Sequence, residues 1–269
     1  MAVVKNAARQ RLEAGGIAVG VGLRQARTVD IAAAMKTCGF DWLFIDLEHN
    51  SMSLDTAVQI AMAASYAGIA PLVRIPAGRY DLAARALDGG ALGIVVPHID
   101  TAEQARQAVE LLKYPPIGRR SIASPMPQLG FATLPLAQAM EEVNAQILVV
   151  AMLETPQAIE AAEEIAAVPG IDALHVGAND LSAELGVPGQ FLHANVERAF
   201  TTAVAACRRY GKWPAMGGIY TEKELAHYVR MGVRMVLAGN DLNLLMAAAT
   251  TRAALVRRAG NSAETTTQQ

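Results

Sequence analysis

Eight times along this 269-residue chain a short apolar run gives way to a segment with helical spacing, and that alternation restricts the fold more than any other feature. Strands are expected at residues 17–23, 42–48, 71–75, 93–98, 146–154, 173–177, 214–219 and 234–238. Helices are expected at 29–37, 54–66, 80–87, 102–112, 157–167, 196–210, 222–231 and 242–257. The strands are almost unbroken in apolar character, the pattern of a parallel sheet covered on both faces. Gly39, Gly68, Gly170, Gly211 and Gly232 each follow a helix, where a left-handed cap suits glycine. An open doubly wound sheet also alternates, but eight regular units favour closure into a single α/β domain, a (β/α)8 TIM barrel. The barrel is expected over residues 1–260, with residues 261–269, rich in Ser, Thr and Gln, as a disordered polar tail. One stretch breaks the rhythm. Residues 114–135 carry Pro115, Pro116, Pro125 and Pro127 and are expected to form a functional loop following a strand.

Composition excludes several classes. A formal net charge of −2 and a pI near 6.2 give no basic footprint, so nucleic acid is not an expected partner. The first 16 residues lack the apolar core of a signal peptide, and no apolar run reaches the roughly 18 residues that span a bilayer. Cys38 and Cys207 fall in helical patterns as small apolar fillers, with no metal-type spacing. A cytoplasmic protein with no membrane partner is the expectation.

In barrels of this kind the reactive groups stand at the C-terminal ends of the strands. There the sequence places Asp46-Leu47-Glu48-His49, Arg74, Pro97-His98, Glu154, Asn179-Asp180 and Asn240-Asp241. Helix N-capping is a competing role for Asp180 and Asp241. Glu154 closes a wholly apolar run, where an unpaired carboxylate is costly, so it and Asp180 are the candidate metal ligands. A hard cation such as Mg2+ or Mn2+ takes such oxygen ligands, and Co2+ is a further candidate. His49 titrates near neutral pH and is the candidate acid/base, although a surface histidine in a polar loop reads the same. Arg74 interrupts an apolar strand and needs an anionic partner, either a substrate oxygen or a structural pairing with Asp46 or Glu48. Lys5, Lys36, Lys113, Lys212 and Lys223 all lie outside the expected strands, which argues against imine chemistry and for a metal that polarises a carbonyl.

Read together, these residues resemble the HpcH/HpaI family of metal-dependent pyruvate aldolases, over about residues 5–257. The resemblance is carried by Gly39-Phe40-Asp41-Trp42 leading into Ile45-Asp46-Leu47-Glu48-His49, by Pro71-Leu72-Val73-Arg74 and by Tyr114-Pro115-Pro116-Ile117-Gly118-Arg119-Arg120. It continues in Leu153-Glu154-Thr155, Gly177-Ala178-Asn179-Asp180-Leu181-Ser182 and Gly239-Asn240-Asp241. It implies a carbon–carbon lyase that cleaves a 4-hydroxy-2-keto acid reversibly to pyruvate and an aldehyde through an enolate. Glu154 and Asp180 would then hold the metal, His49 would move the proton with Asp88 as dyad partner, and Arg74 would hold the keto oxygen. Backbone amides at Ala178, Asn179 and Asp180 would receive the carboxylate. The resemblance also implies a homohexamer with last helices exchanged between subunits. Alternatives of the same chemistry are a citrate-lyase-like acyl-CoA lyase and an oxaloacetate decarboxylase. A ligand-binding barrel without catalysis would be expected to lack part of the set. Three features depart from the family pattern: Leu47 in place of a glycine, Gly118-Arg119-Arg120-Ser121 after the double proline, and the loop 122–130, which leaves the acceptor aldehyde open.

Overall fold

The computed structural model describes residues 3–266, with side chains described through residue 259. Among them eight parallel strands close into a barrel in chain order: β1 (Ala18–Leu23), β2 (Trp42–Asp46), β3 (Ala70–Arg74), β4 (Gly93–Val96), β5 (Leu148–Leu153), β6 (Ala173–Gly177), β7 (Trp213–Gly217) and β8 (Met235–Asn240). An N-terminal helix, α1 (Ala7–Glu13), precedes them. The surrounding helices begin with α2 (Ile31–Thr37), α3 (Leu54–Ala67), α4 (Tyr80–Asp88), α5 (Ala102–Leu112) and α6 (Leu136–Gln146). They continue with α7 (Pro156–Glu160), α8 (Ala162–Ala167), α9 (Ala178–Glu184), α10 (Ala194–Tyr210), α11 (Glu222–Met231) and α12 (Asp241–Thr266).

The two-residue period of each strand divides the core into two shells. Outward residues such as Val21, Leu43, Val73, Val149 and Val176 pack against the helices. Inward residues, among them Trp42, Phe44, Leu72, Val150 and Met152, fill the barrel. Trp42 lies fully buried in the interior, and a β-carbon on Gly20 would collide with its ring, so the tryptophan dictates that glycine.

One end of the barrel is sealed. Ala8 and Leu12 of α1 pack on inward residues near the strand starts, and Asn6 donates to the Leu92 and Gln146 carbonyls at 2.9 and 2.8 Å. Arg9 pairs with Asp172 at 2.6 Å. Lys113, buried beside them, donates to the Asn144 and Ile147 carbonyls, so it is structural and far from any imine role. A ligand therefore enters from the other end, where the strands finish.

Several boundaries differ from the sequence expectation. Residues 114–135 follow helix α5 rather than a strand, so the proline-rich stretch lies at the sealed end and none of it lines the cleft at the open end. It was displaced because α6 is nearly invisible in sequence: it buries only Ala139, Val143, Asn144 and Gln146 and starts without a side-chain cap. The short helix α1 was also unforeseen, α9 starts at Ala178 so that Asp180 lies inside its first turn rather than capping it, and the expected helix 157–167 breaks at Ala161 into α7 and α8. Helix α12 continues through residues 261–266, where a disordered tail was expected, and residues 267–269 lie outside the described residues. Cys38 is exposed at the end of α2, not an apolar filler, whereas Cys207 is buried as expected.

Candidate active site

The open end holds a cleft of about 210 Å³, somewhat below the roughly 300–1,000 Å³ of sites for drug-sized ligands. Its space comes from glycines at strand ends: Gly22, Gly177, Gly217 and Gly239 all line it. Strands β2, β3 and β5 supply charge instead.

Asp46 and Arg74 are register partners at the ends of β2 and β3. Asp46 accepts from the Arg74 Nε and a terminal nitrogen at 2.9 and 2.6 Å, and Glu48 pairs with the other terminal nitrogen at 3.2 Å. The same Asp46 carboxylate accepts the backbone N–H groups of Glu48 and His49 at 3.0 and 3.3 Å, which fixes the turn carrying His49. Burial by itself would raise the Asp46 carboxyl, but the Arg74 hydrogen bond and charge outweigh it and hold the group below its ordinary value. Burial likewise opposes the charged guanidinium, yet Asp46 and Glu48 raise Arg74 further. Of five guanidinium N–H groups, Asp46 takes two and Glu48 pairs with the other terminal nitrogen, leaving donors for a ligand. The expected structural pairing of Arg74 thus exists, and Arg74 lines the cleft as well. His49 also lines it, its side chain 62% exposed and its Nε2 3.8 Å from Glu48.

Glu154 follows β5 and is only 2% exposed. Its Oε2 accepts the His98 N–H at 3.1 Å, with the His98 Nδ1 at 3.3 Å. A β-carbon on Gly177 would lie 2.8 Å from the Glu154 side chain, so glycine there lets the carboxylate stand in the cleft. Burial raises its pKa, the His98 N–H and ring oppose the rise, and the nearby Asp180 charge adds to it. Two carboxylates close enough to repel, one of them buried, are chemically suited to a divalent cation with oxygen ligands. Among the described residues no cluster of three or more His, Cys, Asp or Glu forms a ready-made metal cage. A cation held here would therefore keep positions open for substrate or water. Ala178, Asn179 and Asp180 form the first turn of α9, whose N-cap Gly177 provides no side-chain bond, and all three line the cleft.

Residues 24–248 match the family model described as HpcH/HpaI aldolase/citrate lyase. The chain belongs to this family. It is 41% identical to a 4-hydroxy-4-methyl-2-oxoglutarate aldolase of Chaetomium globosum over 91% of this chain and 93% of that one. It is 32% identical to a 2-keto-3-deoxy-L-rhamnonate aldolase of Escherichia coli, over 97% and 96% of the two chains. Among solved structures, an HpcH/HpaI aldolase from Desulfitobacterium hafniense superposes with a TM-score of 0.87 at 29% identity, covering 93% of this chain and 96% of that one.

Against the expectation for an HpcH/HpaI aldolase, Asp88 does not meet His49 within the chain. It ends α4, on the sealed side of the barrel, and pairs with Arg120 at 2.5 Å. Helix direction explains this, since a helix that follows a strand, as α4 follows β3, runs from the open end back toward the sealed one. The residue that orients the His49 turn is Asp46.

Sequence reading also passed over His175. Lying in β6, it reads as part of a strand core, but its position faces the cleft. The ring is fully buried, and neither nitrogen has a hydrogen-bond partner among the described residues. Burial, assisted by the Arg74 charge, lowers its pKa to about 3, so it is a neutral imidazole at any working pH. In the unfolded chain it would titrate at about 6.5. Between those values the unfolded state binds a proton that the folded state does not, so stability falls as pH falls through that window. The expected contribution reaches about 1.4 kcal/mol per pH unit. Urea unfolding of His175→Phe at pH 6.5 and 4.5 should show a correspondingly shallower acid loss than the parent, and equal losses would refute the assignment.

Proposed function

We propose that this protein is a divalent-metal-dependent lyase that cleaves a 4-hydroxy-2-keto acid reversibly to pyruvate and a second carbonyl compound. The observation that carries the reading is the buried Glu154 carboxylate beside Asp180, facing Arg74 across one cleft. The aldolase relatives support it, and 4-hydroxy-4-methyl-2-oxoglutarate is the first substrate to test.

Glu154 and Asp180 would hold Mg2+ or Mn2+, which polarises the keto group and acidifies the adjacent carbon. The first-turn amides of Ala178, Asn179 and Asp180 receive the keto-acid carboxylate. His49, acting directly or through a water, takes the proton of the C4 hydroxyl. The C3–C4 bond then breaks, and its electron pair moves to leave negative charge on the C2 oxygen. Arg74 faces that oxygen with its free N–H groups and stabilises the charge as it develops. Return of a proton to C3 completes pyruvate, and the reverse sequence forms the bond.

The expected protein is a homo-oligomer. Helix α12 leaves Leu244, Leu245, Met246, Leu255 and Val256 exposed, an apolar face that suits a second copy, and sedimentation at micromolar concentration reads the outcome. Asp88, turned away from its own cleft, would reach a His49 only across such a contact. Among the described residues no helix is long and apolar enough to cross a membrane.

The decisive assay combines pyruvate with an aldehyde panel, and 4-hydroxy-2-keto acids with the isolated protein, in Mn2+ or Mg2+ and again after exhaustive chelation. Metal-restored cleavage is the expected result. Full activity after chelation would overturn the metal assignment, and no turnover in either direction would overturn the lyase reading.

A further inference from the structure

Arg24 stands directly after β1 and lines the mouth of the cleft. Its backbone is tightly held. The Asp241 carboxylate accepts the N–H groups of Arg24, Gln25 and Ala26 at 2.6, 3.0 and 2.7 Å, and the Arg27 side chain donates to the Arg24 carbonyl at 3.1 Å. The Arg24 guanidinium itself has no hydrogen bond or ion pair among the described residues. This is unlike Arg74, whose charge is met by two carboxylates.

The acids of the cleft, and Asp241 beside it, leave Arg24 unneutralised. Asp46 is engaged by Arg74, and Asp241 by backbone N–H groups. Glu154 and Asp180 stand at the ends of β5 and β6, in the region assigned to the cation. Tyr220 also lines the mouth, and it lies within electrostatic reach of both Arg24 and Arg74, whose charges oppose the rise that burial gives its phenol. The two arginines therefore share one opening, one buried at its base and one exposed at its rim.

We propose that Arg24 is a specificity-determining residue: on the acceptor side it binds the second carboxylate of a 4-hydroxy-2-keto dicarboxylic acid, such as the compound named for the Chaetomium globosum relative. This rests on the lyase reading above. Arg74, Glu154, Asp180 and the first turn of α9 occupy the β3, β5 and β6 side and take the keto-acid end. The chain beyond C3 then leaves toward the paired strands β1 and β8, where Gly22 and Gly239 open the wall and Arg24 waits at the rim. A guanidinium meets a carboxylate with two parallel charge-assisted hydrogen bonds, whereas an uncharged aldehyde fragment gains nothing from it. The acceptor released by such a substrate is itself a 2-keto acid.

The test measures kcat/KM of the metal-loaded protein for two substrates, 4-hydroxy-4-methyl-2-oxoglutarate and the monocarboxylate 4-hydroxy-2-oxopentanoate. In Arg24→Gln the ratio of dicarboxylate to monocarboxylate should fall roughly 10- to 100-fold, mainly through KM, the range of one charge-assisted contact. Arg24→Lys should restore much of it. Equal losses on both substrates, or an unaltered ratio, would overturn the proposal. Deuterium exchange at the pyruvate methyl, run alongside, separates the two levels: exchange with an unaltered ratio overturns the Arg24 assignment alone. Absence of exchange and of cleavage in the parent protein overturns the lyase reading and this inference with it.

Discussion

Glu154→Gln is expected to lower kcat/KM for aldol cleavage by about 10³-fold or more, because under the proposed mechanism it removes one of the two charges that would hold the cation and with it several kcal/mol of carbonyl polarisation. The fold should survive. Glu154 is a buried carboxylate whose pKa burial has raised, so a neutral amide of the same shape relieves a desolvation cost while its oxygen still accepts the His98 N–H. The expected pattern is thus weak Mn2+ binding by calorimetry, near-total loss of turnover, and a melting temperature in chelator equal to or above that of the parent. Parent-like metal affinity and turnover would remove Glu154 from the site. A large drop in melting temperature would instead show that its charge serves the fold.

Arg74 is expected to give a different signature, because it serves the fold and the proposed chemistry at once. Arg74→Met leaves the Asp46 and Glu48 carboxylates without their cation inside the barrel mouth. Removal of one partner from a buried ion pair destabilises by about 3–5 kcal/mol. The His49 turn should also loosen, since Asp46 holds both the guanidinium and the His49 N–H. A second substitution separates the two roles. Asp46→Asn added to Arg74→Met should recover part of the lost stability in urea titrations and none of the cleavage rate, with kcat remaining at least about 100-fold down. Arg74→Lys keeps the charge without the fork and should fold well yet turn over slowly. If Arg74→Met were cleanly folded and active, the developing oxyanion would have to be met elsewhere in the cleft.

How much of this was legible beforehand varies with the residue. Glu154, Asp180, His49 and Arg74 stood out because each is a polar residue at the end of an apolar run, and the two-residue period of a strand is a local property. The structure gathers all four around one cleft. Asp88 could not be located beforehand for a reason of topology: a residue at the end of a helix that follows a strand lies opposite the strand ends of its own barrel, and a meeting with the His49 of another copy is not a local property. The proline-rich segment 114–135 was set at the wrong end because α6, with its thin apolar stripe, could not be seen to follow it. His175 was overlooked because a histidine within an apolar strand carries no sign of what faces it.

The sequence by itself determined the eight-fold alternation, hence parallel strands covered by helices, and the chemical character of the residues at their ends. Local periodicity and the desolvation of charge suffice for that. Only the tertiary structure decided which inward positions open into the cleft and which are plugged, because the stagger of a closed barrel sets their depth. It puts Trp42 in the interior beside Gly20, while Gly177 stands next to Glu154. It also decided that the Asp241 carboxylate is spent on three backbone N–H groups, leaving the Arg24 charge free. That last pairing joins residues 217 positions apart in the chain, a contact that no local pattern encodes.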